Sequence, residues 1–386
     1  MLNRAKHIVL ILLCAVLLLL AGCGEAAEPV SPPEPTPVPT PAPTPEPELP
    51  TGDAVTVEGT ELASGSLVDD DMLYVKLPEL TGALGLALEA GEEGAFSFQW
   101  DGESVSGRAG SPVLYIRDGA VALTAPMISY KGEIYVPVVP FCELLNIGLY
   151  FDEEYSHLYC TVAAGDWALP EGYEVPVLMY HGVSASPWGV TELFVDPSRM
   201  EEQLVWLLEN DYDPIWFEDL AHVDEYDKPI ILTFDDGYSD NYTELFPLLK
   251  KYNVKATVFI ITGWLDGSTY LSEEQVKEMS RSGLVSIQSH TVSHKDLDKC
   301  SEEENIYQME QSKLMITRLT GKEPVALCYP RGLASGLTLE LLPSYYSFGV
   351  KMNGRTYRTG DDASLVYRNY VSRSMVINGF AQMLEG

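Results

Sequence analysis

From residue 172 to residue 386 the chain alternates between apolar runs of strand length and amphipathic stretches of helix length, which restricts its fold strongly. The predicted strands are 175–180, 229–234, 256–261, 285–289, 326–329, 347–350 and 370–371, and the predicted helices are 197–210, 241–252, 272–282, 302–319 and 337–344. Strands that alternate with helices in this way form a parallel sheet. We therefore predict an α/β domain over residues 172–386, a distorted (β/α) barrel of about seven strands.

Polar side chains directly follow four of these predicted strands. They are His181 after the first strand, Asp235 and Asp236 after the second, His290 and His294 after the fourth, and Tyr329 at the end of the fifth, followed by Pro330. In a barrel of parallel strands the carboxyl ends meet at one face, where catalytic groups collect. We therefore expect these side chains to form one site.

The spacing of these groups is typical of a catalytic metal site. His290 and His294 are four residues apart, so both can face one ion, and an aspartate completes a set of two histidines and one carboxylate. Such a set leaves coordination positions open for water and substrate. Two adjacent aspartates suit this chemistry, because one can bind the metal while the other accepts a proton. Alone, Asp-Asp-Gly is usually a turn and His-x-x-x-His is often a solvated helix face.

The segments 233–237, Thr-Phe-Asp-Asp-Gly, and 289–294, Ser-His-Thr-Val-Ser-His, resemble the first two motifs of the NodB-type polysaccharide deacetylases, carbohydrate esterase family four. This resemblance implies that the protein hydrolyses the acetamide of N-acetylated amino sugars in an extracellular or cell-wall glycan. It also implies that Asp235 is the general base and that Asp236, His290 and His294 bind a divalent metal. Zinc is the expected metal, with cobalt or nickel as alternatives.

The third motif departs from the commonest pattern of that family. An Arg usually stands two residues before the proline, whereas this chain has Cys328 before Tyr329 and Pro330. The Tyr-Pro-x-Gly sequence resembles the branch that acts on poly-N-acetylglucosamine. The resemblance implies that Tyr329 and Pro330 line the substrate site and that a backbone N–H near Tyr329 stabilises the oxyanion.

Two further roles follow from the residues that this chain lacks. No His follows His294, so the usual C-terminal histidine of the family is missing. In the poly-N-acetylglucosamine branch the acid comes from the opening strand, which implies His181 as the general acid. Without the usual Arg, Arg331 or Arg373 is the candidate to orient Asp235.

The N-terminus is typical of an exported bacterial lipoprotein. Two basic residues precede an apolar run over 8–20, which ends in Leu-Ala-Gly-Cys. The run is shorter than the ~20 residues that span a bilayer. This tetrad resembles a lipobox, so we predict a signal peptide over 1–22, a lipid anchor on Cys23 and a location on the outer face of the cell membrane. The alternative is an ordinary signal peptide with an incidental Cys.

Residues 23–52 are rich in proline, which has no N–H to donate and favours an extended linker. Residues 53–166 contain a weak repeat in which an apolar strand pattern leads into a short helix pattern, and they resemble the α+β N-terminal domain of copper amine oxidases. That resemblance implies cell-wall or glycan contact, and a spacer is the alternative. His157 is the only His of this region, which is too few for a copper cluster.

The four remaining cysteines form no closely spaced pair. Disulfides Cys142–Cys160 and Cys300–Cys328 fit an exported protein, and four free thiols fit equally well. The formal net charge is -33, which excludes duplex nucleic acid as a partner, because binding phosphates requires a basic surface.

Two other functions stay open at this stage. An O-acetyl esterase acting on xylan or a similar glycan could use the same groups. A surface lipoprotein that binds glycan without catalysis is also compatible with the missing Arg and C-terminal His.

Overall fold

The computed structural model describes residues 48–385, apart from residues 71, 118, 153–155, 163–168 and 353. The predicted signal peptide, Cys23 and most of the predicted linker lie outside the described residues. Among the helices that the structure describes, none is both long and apolar enough to cross a lipid bilayer.

The described chain begins with a small α+β region. Its strands are β1 (Ala54–Val57), β2 (Thr60–Glu61), β3 (Leu67–Asp69), β4 (Met72–Lys76), β5 (Glu89–Ala90), β6 (Ala95–Trp100), β7 (Glu103–Arg108), β8 (Val113–Ile116), β9 (Gly119–Ala122), β10 (Ile128–Tyr130), β11 (Glu133–Pro137), β12 (Ile147–Asp152) and β13 (His157–Val162), and its helices are α1 (Leu77–Ala83) and α2 (Val138–Leu144). They form three sheets, in the orders β12-β13-β1-β2, β10-β11-β4-β3 and β5-β6-β7-β8-β9.

The two copies of the predicted repeat meet in the middle of this region. Strands β4 and β11 pair antiparallel, with Val75 opposite Val136, and each runs directly into its helix. The apolar faces of both helices, including Leu80 and Phe141, lie in one buried core. The strand and the short helix predicted for each copy are therefore present, and the resemblance to the amine oxidase domain stays a prediction.

The second region carries the predicted alternation. Its strands are β14 (Glu174–Val175), β15 (Val177–Tyr180), β16 (Gly182–Val183), β17 (Phe194–Val195), β18 (Asp213–Ile215), β19 (Pro229–Phe234), β20 (Ala256–Ile260), β21 (Val285–Ser289), β22 (Ala326–Cys328), β23 (Phe348–Val350), β24 (Tyr357–Arg358) and β25 (Asn369–Tyr370), and its helices are α3 (Pro197–Glu209), α4 (Phe246–Tyr252), α5 (Glu273–Arg281), α6 (Glu302–Thr320), α7 (Gly336–Leu341) and α8 (Ile377–Glu385).

The main sheet of this region is parallel throughout, in the order β23-β22-β21-β20-β19-β15-β25, with β18 paired to the first half of β19. The sheet curls, and in the part of the chain that the structure describes its outer strands β23 and β25 do not pair with each other. The predicted α/β class and parallel sheet are confirmed, with eight strands in an open half-barrel.

Both faces of this sheet are buried, as is usual for a parallel sheet. On the outer face, Leu232 and Val258 pack in one core with residues of α3, α4 and α5. On the inner face, Ile231 and Phe259 pack with Phe217 in a separate core. Because both faces of the sheet are apolar and buried, the polar groups of the candidate site lie at the ends of the strands.

The small region contacts the second region at the end of α6. The N–H of Gly59 donates to the carbonyl oxygen of Gly321 at 3.0 Å, directly after the last residue of the helix. Helix α6 connects the end of β21 to the start of β22, so its C-terminus lies at the amino ends of the strands. This contact is therefore at the opposite edge of the sheet from the carboxyl ends.

Candidate active site and metal centre

The carboxyl ends of β15, β19, β21 and β22 bring the predicted side chains to one edge of the sheet. Strand pairing continues one residue past the strand ends, because the N–H of Asp235 donates to the carbonyl of Tyr180 at 3.0 Å. In the same way the N–H of His290 donates to the carbonyl of Ile260 at 2.9 Å. The backbone therefore fixes where the first side chain after each strand begins.

Asp236, His290 and His294 form a compact set of candidate metal ligands. One oxygen of Asp236 lies 3.5 Å from Nε2 of His290 and 3.7 Å from Nε2 of His294, and one ligand atom from each residue lies within 4.8 Å of the others. Nδ1 of His290 lies 2.7 Å from the carbonyl oxygen of Cys328. Metal-binding histidines usually donate their second N–H in this way, so these residues fit a divalent ion.

The backbone at this set adopts conformations that non-glycine residues rarely adopt. Asp236 and His294 have φ values of 72° and 56°, and Thr291 has a φ of 68°. Left-handed conformations of non-glycine residues cost free energy and cluster at functional sites. The turns after β19 and β21 thus hold these side chains in place at the expense of local strain.

The electrostatics of the set favour a cation. Burial acts to raise the pKa of Asp236, but its hydrogen bond to His290 and the charge of that ring hold the pKa well below its usual range. Burial and the neighbouring His290 lower the pKa of His294 to about 4. At neutral pH Asp236 is therefore an anion and His294 has a free lone pair, as metal binding requires. Burial acts to lower the pKa of His290, but Cys328 and Asp236 outweigh it and raise that pKa, so a metal ion would displace the proton that His290 holds.

Asp235 lies beside this set and is held by an arginine that the sequence did not suggest. Nη1 and Nη2 of Arg368 each lie 2.7 Å from one oxygen of Asp235, and the Arg368 side chain is fully buried. Burial acts to raise the pKa of Asp235, but Arg368 outweighs it and lowers that pKa. A bidentate pair fixes the carboxylate plane and keeps it ionised.

The two arginines predicted to orient Asp235 have other partners, so both predictions are wrong. The side chain of Arg331 is 67% exposed and pairs with Asp296 at 3.4 Å. Nη1 of Arg373 donates to the carbonyls of Ser184 and Phe194. The available signal was that Arg368 lies two residues before the short apolar run at 370–371, as Arg373 lies two residues after it. Nothing in that local pattern shows that the side chain of Arg368 reaches Asp235 at the end of β19.

His181 follows β15 and is largely enclosed. Its Nδ1 is buried and has no hydrogen-bond partner among the residues that the structure describes. Burial lowers the pKa of His181, and the charges of Asp235 and Asp236 oppose that effect. His181 therefore has a buried ring nitrogen without a described partner, close enough to both aspartates to be affected by their charges.

The structure narrows the choice of backbone N–H near Tyr329 that could serve as the oxyanion donor. The N–H of Tyr329 donates to the carbonyl of Val350 at 3.0 Å, and its hydroxyl donates to the carbonyl of Ser364 at 2.9 Å. Both donors of Tyr329 are therefore used within the fold, and Pro330 has no N–H. The next backbone N–H belongs to Arg331, whose φ is 56°.

All four described cysteines are free thiols, so of the two alternatives left open by the sequence the structure has the free thiols and neither possible disulfide. Sγ of Cys328 lies 3.5 Å from Asp235 and 3.1 Å from Nη2 of Arg368, whereas Sγ of Cys300 donates to the carbonyl of Asp296. Asp235, His290 and Cys328 also lie close enough to bind a metal. That set fits less well, because burial raises the pKa of the thiol and Arg368 already binds both oxygens of Asp235.

Comparisons with known proteins agree with this geometry. The family model described as polysaccharide deacetylase matches residues 222–346. The Bacillus subtilis protein YxkH, whose name assigns it provisionally to the polysaccharide deacetylases, is 30% identical over 218 residues, which are 55% of this chain and 76% of YxkH.

Two further comparisons cover the same region. A poly-beta-1,6-N-acetyl-D-glucosamine N-deacetylase of Staphylococcus aureus is 26% identical over 187 residues, or 43% of this chain and 64% of that protein. The solved structure of the Streptococcus pyogenes deacetylase PplD in complex with acetate is 27% identical, with a TM-score of 0.53 over 56% of this chain and 100% of that chain. The chain belongs to the polysaccharide deacetylase family, and it is an enzyme.

Proposed function

We propose that this enzyme is a metal-dependent N-deacetylase that hydrolyses the acetamide of N-acetylated amino sugars in an extracellular or cell-wall polysaccharide. The products are acetate and a free amine on the glycan. The observation that supports this most directly is the Asp236, His290 and His294 set beside an Asp235 that Arg368 holds ionised. This arrangement has separate groups to bind a cation and to accept a proton.

Each group of the site has its own role in the proposed reaction. Asp236, His290 and His294 would hold a divalent ion, zinc in our proposal, which would supply Lewis acidity toward a carbonyl oxygen and make water more acidic. Asp235 accepts the proton of the attacking water as its oxygen bonds to the acetyl carbon. The N–H of Arg331 donates to the developing oxyanion. His181 donates a proton to the sugar nitrogen as the carbon–nitrogen bond breaks.

We propose poly-N-acetylglucosamine as the substrate, because the S. aureus relative carries that substrate in its name. The N-terminal predictions complete the proposal. The enzyme is exported, anchored through lipid on Cys23, and carried away from the membrane by the 23–52 linker, with the 53–166 domain as spacer or cell-wall contact. Labelling with a radioactive fatty acid should mark the wild type and leave Cys23→Ala unlabelled.

The direct test is acetate release from a panel of glycans, with and without a chelator. The panel contains β-1,6-linked N-acetylglucosamine oligomers, chitin oligomers, peptidoglycan and acetylated xylan. We expect release from the first substrate and its loss with the chelator. Release from acetylated xylan alone would instead identify an O-acetyl esterase.

Two variants separate metal binding from proton transfer. Asp235→Asn should keep its metal, measured by elemental analysis, and lose acetate release, whereas His290→Ala should lose both. His222→Ala is the matched control, because His222 is exposed and lies outside the site. Full turnover by Asp235→Asn would show that another group accepts the proton.

A further inference from the structure

The segment that directly follows β21, which we name the 290–294 loop, carries two of the three candidate metal ligands on a strained backbone. His290 is its first residue and His294 its last. Between them Thr291 has a φ of 68°, and His294 itself has a φ of 56°. Left-handed conformations of non-glycine residues persist only where the surrounding structure holds them. The loop therefore needs contacts from outside to keep its shape.

A buried glutamine on α6 supplies such contacts. Oε1 of Gln308 accepts the N–H groups of Val292 and Ser293, both at 3.0 Å. Nε2 of Gln308 donates to the hydroxyl oxygen of Ser293 at 2.9 Å. The side chain of Gln308 is only 1% exposed. One amide group therefore holds two consecutive peptide units between the two histidines.

The N–H groups of residues 292 and 293 depend on Gln308. In the part of the chain that the structure describes, neither of them has another hydrogen-bond acceptor. Other contacts hold the rest of the loop, because the N–H of Gly263 donates to the carbonyl of Val292 at 2.8 Å and the N–H of His294 donates to Oγ1 of Thr291 at 3.0 Å. Without the glutamine oxygen, loop conformations in which water accepts the two N–H groups would become competitive.

Helix α6 contacts the end of β21 again one turn further on. The hydroxyl of Ser289 donates to Oγ of Ser312 at 2.7 Å, and that oxygen lies 2.9 Å from the hydroxyl of Tyr346. Ser312 is four residues after Gln308, so the two side chains lie on the same face of the helix. This polar face fixes α6 against the strand end, and Gln308 holds the loop from a fixed position.

The two histidines of the loop are positioned in different ways. Nδ1 of His290 lies 2.7 Å from the carbonyl oxygen of Cys328, so a hydrogen bond orients that ring directly. The ring of His294 forms no hydrogen bond with the described residues, and its Nε2 is 3.7 Å from Asp236. The place of His294 beside Asp236 therefore depends on where the backbone of the 290–294 loop puts it.

We propose that Gln308 is a positioning residue of the metal site, which raises the affinity for a divalent ion by holding residues 292 and 293 and with them His294. Outer contacts that orient a metal ligand are typically worth about 10- to 100-fold in metal affinity. The inference rests on the proposed function, because the ion belongs to that proposal. It adds that α6, which supplies no metal ligand, sets how tightly the ion is held.

The test measures zinc affinity, so that it does not depend on turnover. The metal-free protein competes with a chromogenic chelator for Zn²⁺ at neutral pH. Gln308→Met keeps an unbranched side chain of similar size and removes both polar atoms, so it should raise the Zn²⁺ Kd about tenfold. Gln308→Asn withdraws the amide from the loop by one methylene group and should raise the Kd in the same direction.

A conservative variant tests whether the acceptor oxygen is what counts. Gln308→Glu keeps an acceptor oxygen for both N–H groups of the loop. Its Zn²⁺ Kd should therefore stay within about threefold of the wild-type value. A Kd for Gln308→Glu as high as that for Gln308→Met would contradict a role through these two hydrogen bonds.

The matched control is Gln203→Met on α3. Gln203 is also only 1% exposed, and its Oε1 accepts the hydroxyl of Tyr180 at 3.0 Å. The variant should lose stability, measured by thermal unfolding of the metal-free protein, and leave the Zn²⁺ Kd unchanged. A Kd that neither Gln308→Met nor Gln308→Asn raises, or an equal rise in Gln203→Met, would overturn the inference.

Acetate release by the wild type separates the two proposals. The substrates are the hexamer of β-1,6-linked N-acetylglucosamine and the other glycans of the panel. Zinc-dependent release, together with a Kd that does not depend on Gln308, keeps the proposed function and removes the positioning role. A Kd that depends on Gln308, without release from any glycan of the panel, keeps the positioning role and removes the proposed function.

Discussion

At the scale of single residues, Arg368 determines the state of the proposed base. Its five N–H groups have five acceptors: the Lys351 carbonyl at 3.1 Å, Thr233 at 2.8 Å, both oxygens of Asp235 at 2.7 Å and Cys328 Sγ at 3.1 Å. A guanidinium with every donor used cannot rotate without losing hydrogen bonds. Asp235 therefore has one orientation in the folded protein.

We expect Arg368→Lys to lower kcat/KM by about 10- to 100-fold, because an ammonium cannot hold both oxygens of Asp235. The sign of the pH effect follows from the lowered pKa of Asp235. Weakening the pair raises that pKa, so the acidic limb of the kcat/KM profile should move to higher pH. Arg355→Lys, which alters an exposed arginine that pairs with Asp361, is the control. An unchanged acidic limb in Arg368→Lys would contradict this role.

The buried carboxyl group of Asp240 leads to a separate prediction, about how the stability of the fold depends on pH. Burial raises its pKa to about 6, and one of its oxygens accepts the N–H of Val183 at 3.0 Å. The folded state therefore binds the proton more tightly than the unfolded state, whose carboxyl titrates near ~3.9. This contribution to stability is complete below about pH 4 and is lost as the pH rises through about 6.

Asp240→Asn keeps an oxygen acceptor and removes the titration. When the pH is raised from 4 to 8, the free energy of unfolding of the wild type should fall by about 2 to 3 kcal/mol more than that of the variant. Urea unfolding at several pH values measures the difference. Asp298→Asn, which alters an exposed carboxylate, should follow the wild type. Equal pH dependence in all three proteins would show that Asp240 is not the group involved.

At the scale of elements, the apolar patterns were sufficient to place most strands and helices of the second region. The predicted strands at 229–234 and 285–289 match β19 and β21 residue for residue. Strand β18 was missed, because Asp-Pro-Ile is too short and too polar to stand out. The helix predicted over 241–252 instead begins with a π-helical turn at Asn241–Leu245 and becomes α-helical at Phe246.

Some residues of the candidate site could likewise be predicted from the sequence, and others could not. Groups that directly follow a strand, such as Asp236 and His290, could be found, because their place in the sequence already puts them at the carboxyl edge of the sheet. Arg368 could not, because its contact with Asp235 joins positions 133 residues apart. The proposed oxyanion donor could not be chosen from the sequence either, because the choice depends on which N–H groups already form hydrogen bonds within the fold.

The close approach of Gly59 and Gly321 at the end of α6 leads to a prediction about stability. Gly321 ends the helix with a φ of 70°, and a Cβ added there would lie 2.6 Å from Cα of Gly59. Gly321→Ala should therefore lower the free energy of unfolding by about 2 kcal/mol or more, since backbone cannot move aside easily. Acetate release per folded molecule should not change.

The matched control is Gly283→Ala. Gly283 has a φ of 71°, but nothing lies within 4 Å of its added Cβ. It should therefore lose only the ~1 kcal/mol that a left-handed alanine costs. Thermal or urea unfolding of both variants gives the comparison, and equal losses would show that the contact with Gly59 is unimportant.

At the scale of the whole molecule, the two regions meet at the edge of the sheet that lies away from the candidate site. The Gly59–Gly321 contact is at the amino ends of the strands, and Asp236 and its neighbours are at the carboxyl ends. If the small region contacts the cell wall, as we propose, the candidate site therefore lies at the other edge of the sheet.

The net charge leads to a prediction about how salt affects binding of the product. The chain has 57 Asp and Glu against 24 Lys and Arg, and each deacetylation converts a neutral amide into an amine that is cationic near neutral pH. An acidic protein attracts that product, and salt weakens the attraction because the Debye length falls from ~10 Å at ~0.1 M to ~3 Å at ~1 M. We expect the inhibition constant of the deacetylated hexamer to rise about tenfold from low to high salt. The KM of the neutral hexamer should change less than about twofold. Equal salt dependence of the two constants would mean that the acidity serves only solubility.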